Sequence, residues 1–85
     1  MEKKILTNIP EGERDLRIIV WENIERFRKQ KGVSVESFCE ANAFPIRTYK
    51  RNLENNGASV SFPTIQKFAK YLGVNTISLF EYWSQ

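Results

Sequence analysis

Arg47, Lys50 and Arg51 are the residues of this 85-residue chain best suited to chemistry. Spacings of three and four place them on one face of a helix. An arginine offers a planar fork of N–H donors that fits a guanine edge. A lysine is a point charge that more often meets phosphate. Behind them Ile46, Tyr49 and Leu53 form an apolar stripe able to seat such a helix on a core. Other chemistries lack their parts. The chain has no histidine and a single cysteine, Cys39, which excludes zinc sites of the usual Cys/His kind and Ser-His-Asp or Cys-His catalysis. Its glycines, Gly12, Gly32, Gly57 and Gly73, are scattered and make no phosphate-binding loop. Carboxylate-only catalysis needs a cleft, for which a small helical domain has little room. No enzyme activity, metal or cofactor is expected.

The length suits one domain. Hydrophobic residues make up 41% of it, enough for one core, and the mixed charge argues against a disordered tail. The longest apolar run, Ile18-Ile19-Val20-Trp21, falls far short of the roughly 20 residues of a membrane helix. Met1-Glu2-Lys3-Lys4 is not followed by a signal-peptide core. With one cysteine and no disulfide, a cytoplasmic setting without membrane contact is expected. The net charge of +3 is unevenly spread. Residues 26–70 hold nine bases against three acids, while both flanks are slightly acidic. Such a basic middle suits a polyanion, or else a solvated helix surface.

The elements that must position these residues are all helical. Thr7 to Gly12 reads as a turn or arm, which sets an N-terminal arm at 1–12 and a folded domain at 13–85. A long helix is predicted from about Glu13 to Lys31. Its inner face is Leu16, Ile19, Val20, Ile24 and Phe27, its start acidic, its end basic, and Gly32 closes it. Ser34 is placed to cap a short second helix, about Val35 to Ala41, with Phe38 and Cys39 turned inward. Asn42-Ala43-Phe44 breaks it. The third helix begins at Pro45, a residue favoured at a first helical position, and runs to about Glu54. After a loop from Asn55 to Ser59, Ser61 caps a fourth helix, Phe62 to Leu72, burying Ile65, Phe68, Ala69 and Leu72. A fifth, about Thr76 to Trp83, is expected to bury Ile77 and Phe80, with Leu79 or Trp83 at its edge. Two short helices joined by a tight turn, the second carrying outward bases, are the physical basis for reading the major groove. That groove is about 12 Å wide and admits one helix.

From Asn23 onward the chain resembles the Cro and lambda-repressor (XRE) type of helix-turn-helix. The matching stretches are Ile24 to Ser34, Phe38-Cys39-Glu40, Thr48-Tyr49-Lys50-Arg51, and Pro63 to Val74 with Leu79-Phe80-Glu81. The resemblance implies an all-α, five-helix lambda-repressor-like domain. It implies a sequence-specific regulator of transcription on double-stranded DNA, usually as a homodimer. Carried over position by position, Ile46, Arg47, Lys50 and Arg51 face bases, and Ser34, Thr48, Asn55 and Asn56 lie near phosphates. Three positions depart from the pattern. Val35 stands where glutamine is common, and Asn42-Ala43-Phe44-Pro45 lacks the usual turn glycine. Tyr49 and Leu53 are four apart where three is usual, so the third helix is either longer or slipped by one residue. These departures motivate an alternative: a protein-interaction module such as an antitoxin, or a relative that has lost DNA binding, with a toxin or another regulator as partner. Trp83 and the front of the first helix, from Leu16 to Val20, are candidates for a subunit contact.

Overall fold

The computed structural model describes residues 9–54 and 60–81. Pro10 to Glu13 form a turn closed by a Glu13 N–H to Pro10 carbonyl hydrogen bond of 3.0 Å, with Gly12 at φ 88. Helix α1 is Leu16–Lys31. It starts later than the acidic run suggested, because Asp15 is its N-cap: the carboxylate accepts from the Arg17 N–H at 2.9 Å. Helix α2 is Val35–Ala41, α3 is Ile46–Glu54 and α4 is Phe62–Leu72. A 3₁₀ helix, Thr76–Phe80, completes the described chain. Among the described residues the fold is thus all-helical, with four α-helices and a 3₁₀ turn where five α-helices were expected.

Three of the helices end alike. After α1 the Gly32 N–H bonds the Lys29 carbonyl and the Val33 N–H reaches back to Arg28. After α4 the Gly73 N–H bonds Lys70 and the Val74 N–H bonds Ala69. After α2 the Ala43 N–H bonds Glu40 and the Phe44 N–H bonds Cys39. These paired bonds satisfy the last carbonyls and require a left-handed residue past the cap. Gly32 and Gly73 supply it at φ 80 and 76. In the turn between α2 and α3 it is Ala43, at φ 52. The alanine does what the missing turn glycine would do, at a steric cost of about 1–2 kcal/mol.

The core is aromatic. Phe38, Tyr49 and Phe68 are fully buried, and Trp21 nearly so. Trp21 meets Tyr49 edge-on with centroids 5.1 Å apart, and Phe38 packs on Phe68 at 4.9 Å. Ile19, Val20 and Trp21 are therefore core residues, and of the front of α1 only Leu16 stays half in water. The 3₁₀ helix packs mainly on α1. The buried Asn23 amide holds it there, donating to the carbonyls of Leu79 (2.9 Å) and Glu81 (2.7 Å). Leu79 is fully buried and Ile77 68% exposed, the reverse of the expected facing, while Phe80 is half-buried and packs on the core, as expected in part. At three residues per turn, Thr76 and Leu79 share the inner edge and Ile77 and Phe80 the next one. Trp83 lies outside the described residues.

Candidate nucleic-acid interface

Helix α3 turns about 100° per residue, so Arg47, Lys50, Arg51 and Glu54 fall within one third of its circumference. All four are exposed. Tyr49 and Asn52 lie on the opposite side, 0% and 2% exposed, with Ile46 and Leu53 half-buried at one flank and Thr48 at the other. The residue three after Tyr49 is Asn52, a polar residue in a buried place, and Leu53 packs beside it, while α3 itself spans Ile46–Glu54. Its Asn52 Nδ2 is buried without a hydrogen-bond partner.

A charged clamp fixes α3 to α1. The Tyr49 hydroxyl donates to Glu25 Oε2 at 2.6 Å. Arg28 grips the same carboxylate with Nε at 3.0 Å and Nη2 at 2.7 Å, and its Nη1 donates to the Val33 carbonyl at 2.7 Å. Arg28 is only 9% exposed, so its charge is buried with its partner. Burial pushes the Glu25 carboxyl up, but the bonds from Arg28 and Tyr49 outweigh it and hold the group below the usual carboxylate range. Burial, and then the bond to Glu25, raise the Tyr49 phenol. Sequence reading placed Tyr49 in the core but missed this clamp. The signal was a tyrosine in a core stripe, whose hydroxyl needs a partner when buried.

The remaining candidate residues are placed as follows. Ser34 caps α2, its Oγ accepting from the Ser37 N–H at 3.1 Å, and it is exposed. Ile46 sits at the start of α3, partly packed on the core. Asn55 and Asn56 lie outside the described residues. Among the described residues Arg47, Lys50 and Arg51 are in no ion pair. The bases ending α1 differ from them: Arg28 is in the clamp, the Arg26 guanidinium lies 4.4 Å from the Phe27 ring centre, and Lys31 Nζ lies 5.2 Å from that of Tyr71. Among the described residues Lys29, Lys67 and Lys70 are likewise exposed and in no ion pair, but only α3 carries three such bases on one face. Cys39 is buried, and burial raises its thiol. No helix among the described residues is long and apolar enough to cross a membrane.

No protein-family model matches the chain, and no curated protein does. The fold is similar to the crystal structure of a hypothetical transcription factor, NHTF, from Neisseria. The two share 25% identity with a TM-score of 0.73, over 93% of this chain and 88% of that one.

Proposed function

We propose that this protein is a sequence-specific regulator of transcription that lays α3 in the major groove of double-stranded DNA. One observation carries the reading: α3 is held from behind by Tyr49 and Asn52 and presents Arg47, Lys50 and Arg51 to solvent, outside any ion pair among the described residues. The likeness to NHTF, itself described as a hypothetical transcription factor, supports it. So does the resemblance of residues 23–82 to Cro and lambda repressor. In this reading Arg47 and Arg51 bond base edges, Lys50 meets a base or a phosphate, and the exposed part of Ile46 meets a thymine methyl. The Ser34 hydroxyl accepts within α2 and still has its proton to give to a phosphate oxygen, and the family resemblance assigns phosphate contacts to Thr48, Asn55 and Asn56 as well. No cofactor enters.

Selection from random duplexes followed by gel shift tests the reading. A recurring site should be enriched, and Arg47→Ala or Arg51→Ala should each weaken it by about 1–3 kcal/mol with discrimination lost at one base pair. Both side chains are exposed, so the fold should be unchanged. If no sequence is enriched, or if binding ignores both substitutions, α3 is not the working surface. The exposed apolar side chains Leu16, Phe62 and Ile77 would then favour the second reading, a protein-interaction module such as an antitoxin.

A further inference from the structure

A cleft of about 390 Å³ opens between α1 and α3. Ile18 and Trp21 wall it on the side of α1, and Leu53 and Asn52 on the side of α3. One group in it is not used by the fold. Asn52 is 2% exposed, yet its Nδ2 makes no hydrogen bond among the described residues. A buried donor left unmet is costly, and folded proteins keep few of them. We propose that this cleft binds a small monocarboxylate with an aromatic or branched apolar body, whose carboxylate accepts from the Asn52 amide.

Size and lining suit a small ligand. Ligand clefts hold roughly 300–1,000 Å³ and are apolar with a few placed polar groups. The charged side chains of the lining select the class. Glu22 is paired with Arg14 at 2.8 Å, and Glu25 is held in the clamp by Arg28 and Tyr49. Both acids are thus matched, and neither repels an incoming carboxylate as a bare charge would. Arg26 gives its Nη2 to the neutral Asn23 Oδ1 at 3.0 Å, which leaves the guanidinium cationic. Lys29 also lines the cleft, exposed and in no ion pair among the described residues. The Asn52 amide and the Lys29 ammonium both need an acceptor, and an anionic acceptor serves both. A cationic ligand would leave both unmet. The Nδ2 atom exposes less than 1 Å², so the carboxylate reaches it by a turn of the amide about a torsion that is soft in asparagine. None of Arg47, Lys50 and Arg51 lines the cleft, so the proposal is independent of the DNA reading.

The test is a proton–nitrogen NMR titration of the full chain with phenylacetate, indole-3-acetate and 4-methylpentanoate. At least one acid should give saturable shifts at the Asn52 side-chain amide and at the backbone amides of Ile18, Trp21 and Leu53. A Kd of about 1 mM or tighter is expected for molecules of this size. Asn52→Leu should weaken that binding by about tenfold or more, since it removes a hydrogen bond to a charged group. Ile18→Trp fills the cleft from the other wall and should abolish the shifts, and it decides the matter if the Asn52→Leu spectrum no longer overlays that of the wild type. Lys29→Gln should weaken phenylacetate by about threefold at low salt. Phenylacetamide, which lacks the charge, should bind more weakly and be indifferent to that substitution. No saturable shift with any of the three acids overturns the proposal, as does binding that survives both Asn52→Leu and Ile18→Trp. Phenylacetamide bound as tightly as phenylacetate overturns the choice of a carboxylate.

Discussion

At the scale of single residues, the side chains that matter most for α3 are those it hides. Tyr49 joins it to α1 through Glu25, so Tyr49→Phe keeps the ring packing and removes one charge-assisted hydrogen bond. A loss of about 1–2 kcal/mol in urea unfolding is expected. The pH dependence follows from the same carboxylate. The folded Glu25 value lies below the ordinary carboxylate value of about 4.3. Its contribution is therefore complete above that value and disappears as pH falls through the folded one. Asp15, lowered by its side-chain bond from Arg17, adds in the same direction. Unfolding midpoints should drop below about pH 4 in the wild type, and Glu25→Gln should start lower at neutral pH and fall less across that window. Asn52 is the opposite case. Its buried amide nitrogen makes no bond, and an unmet buried donor costs about 1–3 kcal/mol. Asn52→Leu has nearly the same shape and should raise stability by about 1 kcal/mol in the same assay. A drop would mean that the amide has a role in packing α3.

At the scale of elements, the turn between α2 and α3 sets the angle at which the basic face is presented. Ala43 holds that turn in a left-handed conformation, exposed to solvent. Ala43→Gly removes the steric penalty, and a gain of about 1 kcal/mol, or about 4–8 °C in melting temperature, is expected. The size of the gain is limited because glycine also loosens the unfolded chain. The 3₁₀ helix depends on Asn23, whose amide donates to two of its carbonyls. Without those bonds, this segment is left with the packing of Leu79 and, in part, Phe80. Within it Leu79 is buried and Ile77 stands in water.

At the scale of the whole molecule, charge and apolar surface are separated. Of the bases in residues 26–70, Arg28 is neutralised in the clamp, while Arg47, Lys50 and Arg51 stand together on α3 and Lys29, Lys67 and Lys70 are exposed on α1 and α4. The large exposed apolar side chains, Leu16, Phe62 and Ile77, belong to α1, α4 and the 3₁₀ helix. DNA binding should therefore depend strongly on salt, with the affinity falling steeply between about 50 and 200 mM. Lys50→Ala should weaken all sequences alike and reduce the salt slope by about one if the lysine meets phosphate. Loss of discrimination at one base pair would instead make Lys50 a base reader.

The sequence by itself determined the helices and the face of α3 that carries charge. Those properties are local. Three-and-four periodicity, the capping residues Ser34 and Ser61, and the glycines after α1 and α4 act within a turn or two of themselves, and Arg47, Lys50 and Arg51 share a face wherever the helix is put. What sits behind that face was decided by the tertiary structure. Asn52 became an anchor because Tyr49 was drawn inward by Trp21, Phe38 and Glu25, residues distant in the chain. The same holds for the last helix. Its apolar pattern fits an α-helix, but the segment is a 3₁₀ turn packed on α1 and bonded by the distant Asn23, with Leu79 buried and Ile77 in water. Arg47, Lys50 and Arg51 are thus legible from spacing alone, whereas the clamp that aims them depends on contacts between side chains that no local pattern encodes.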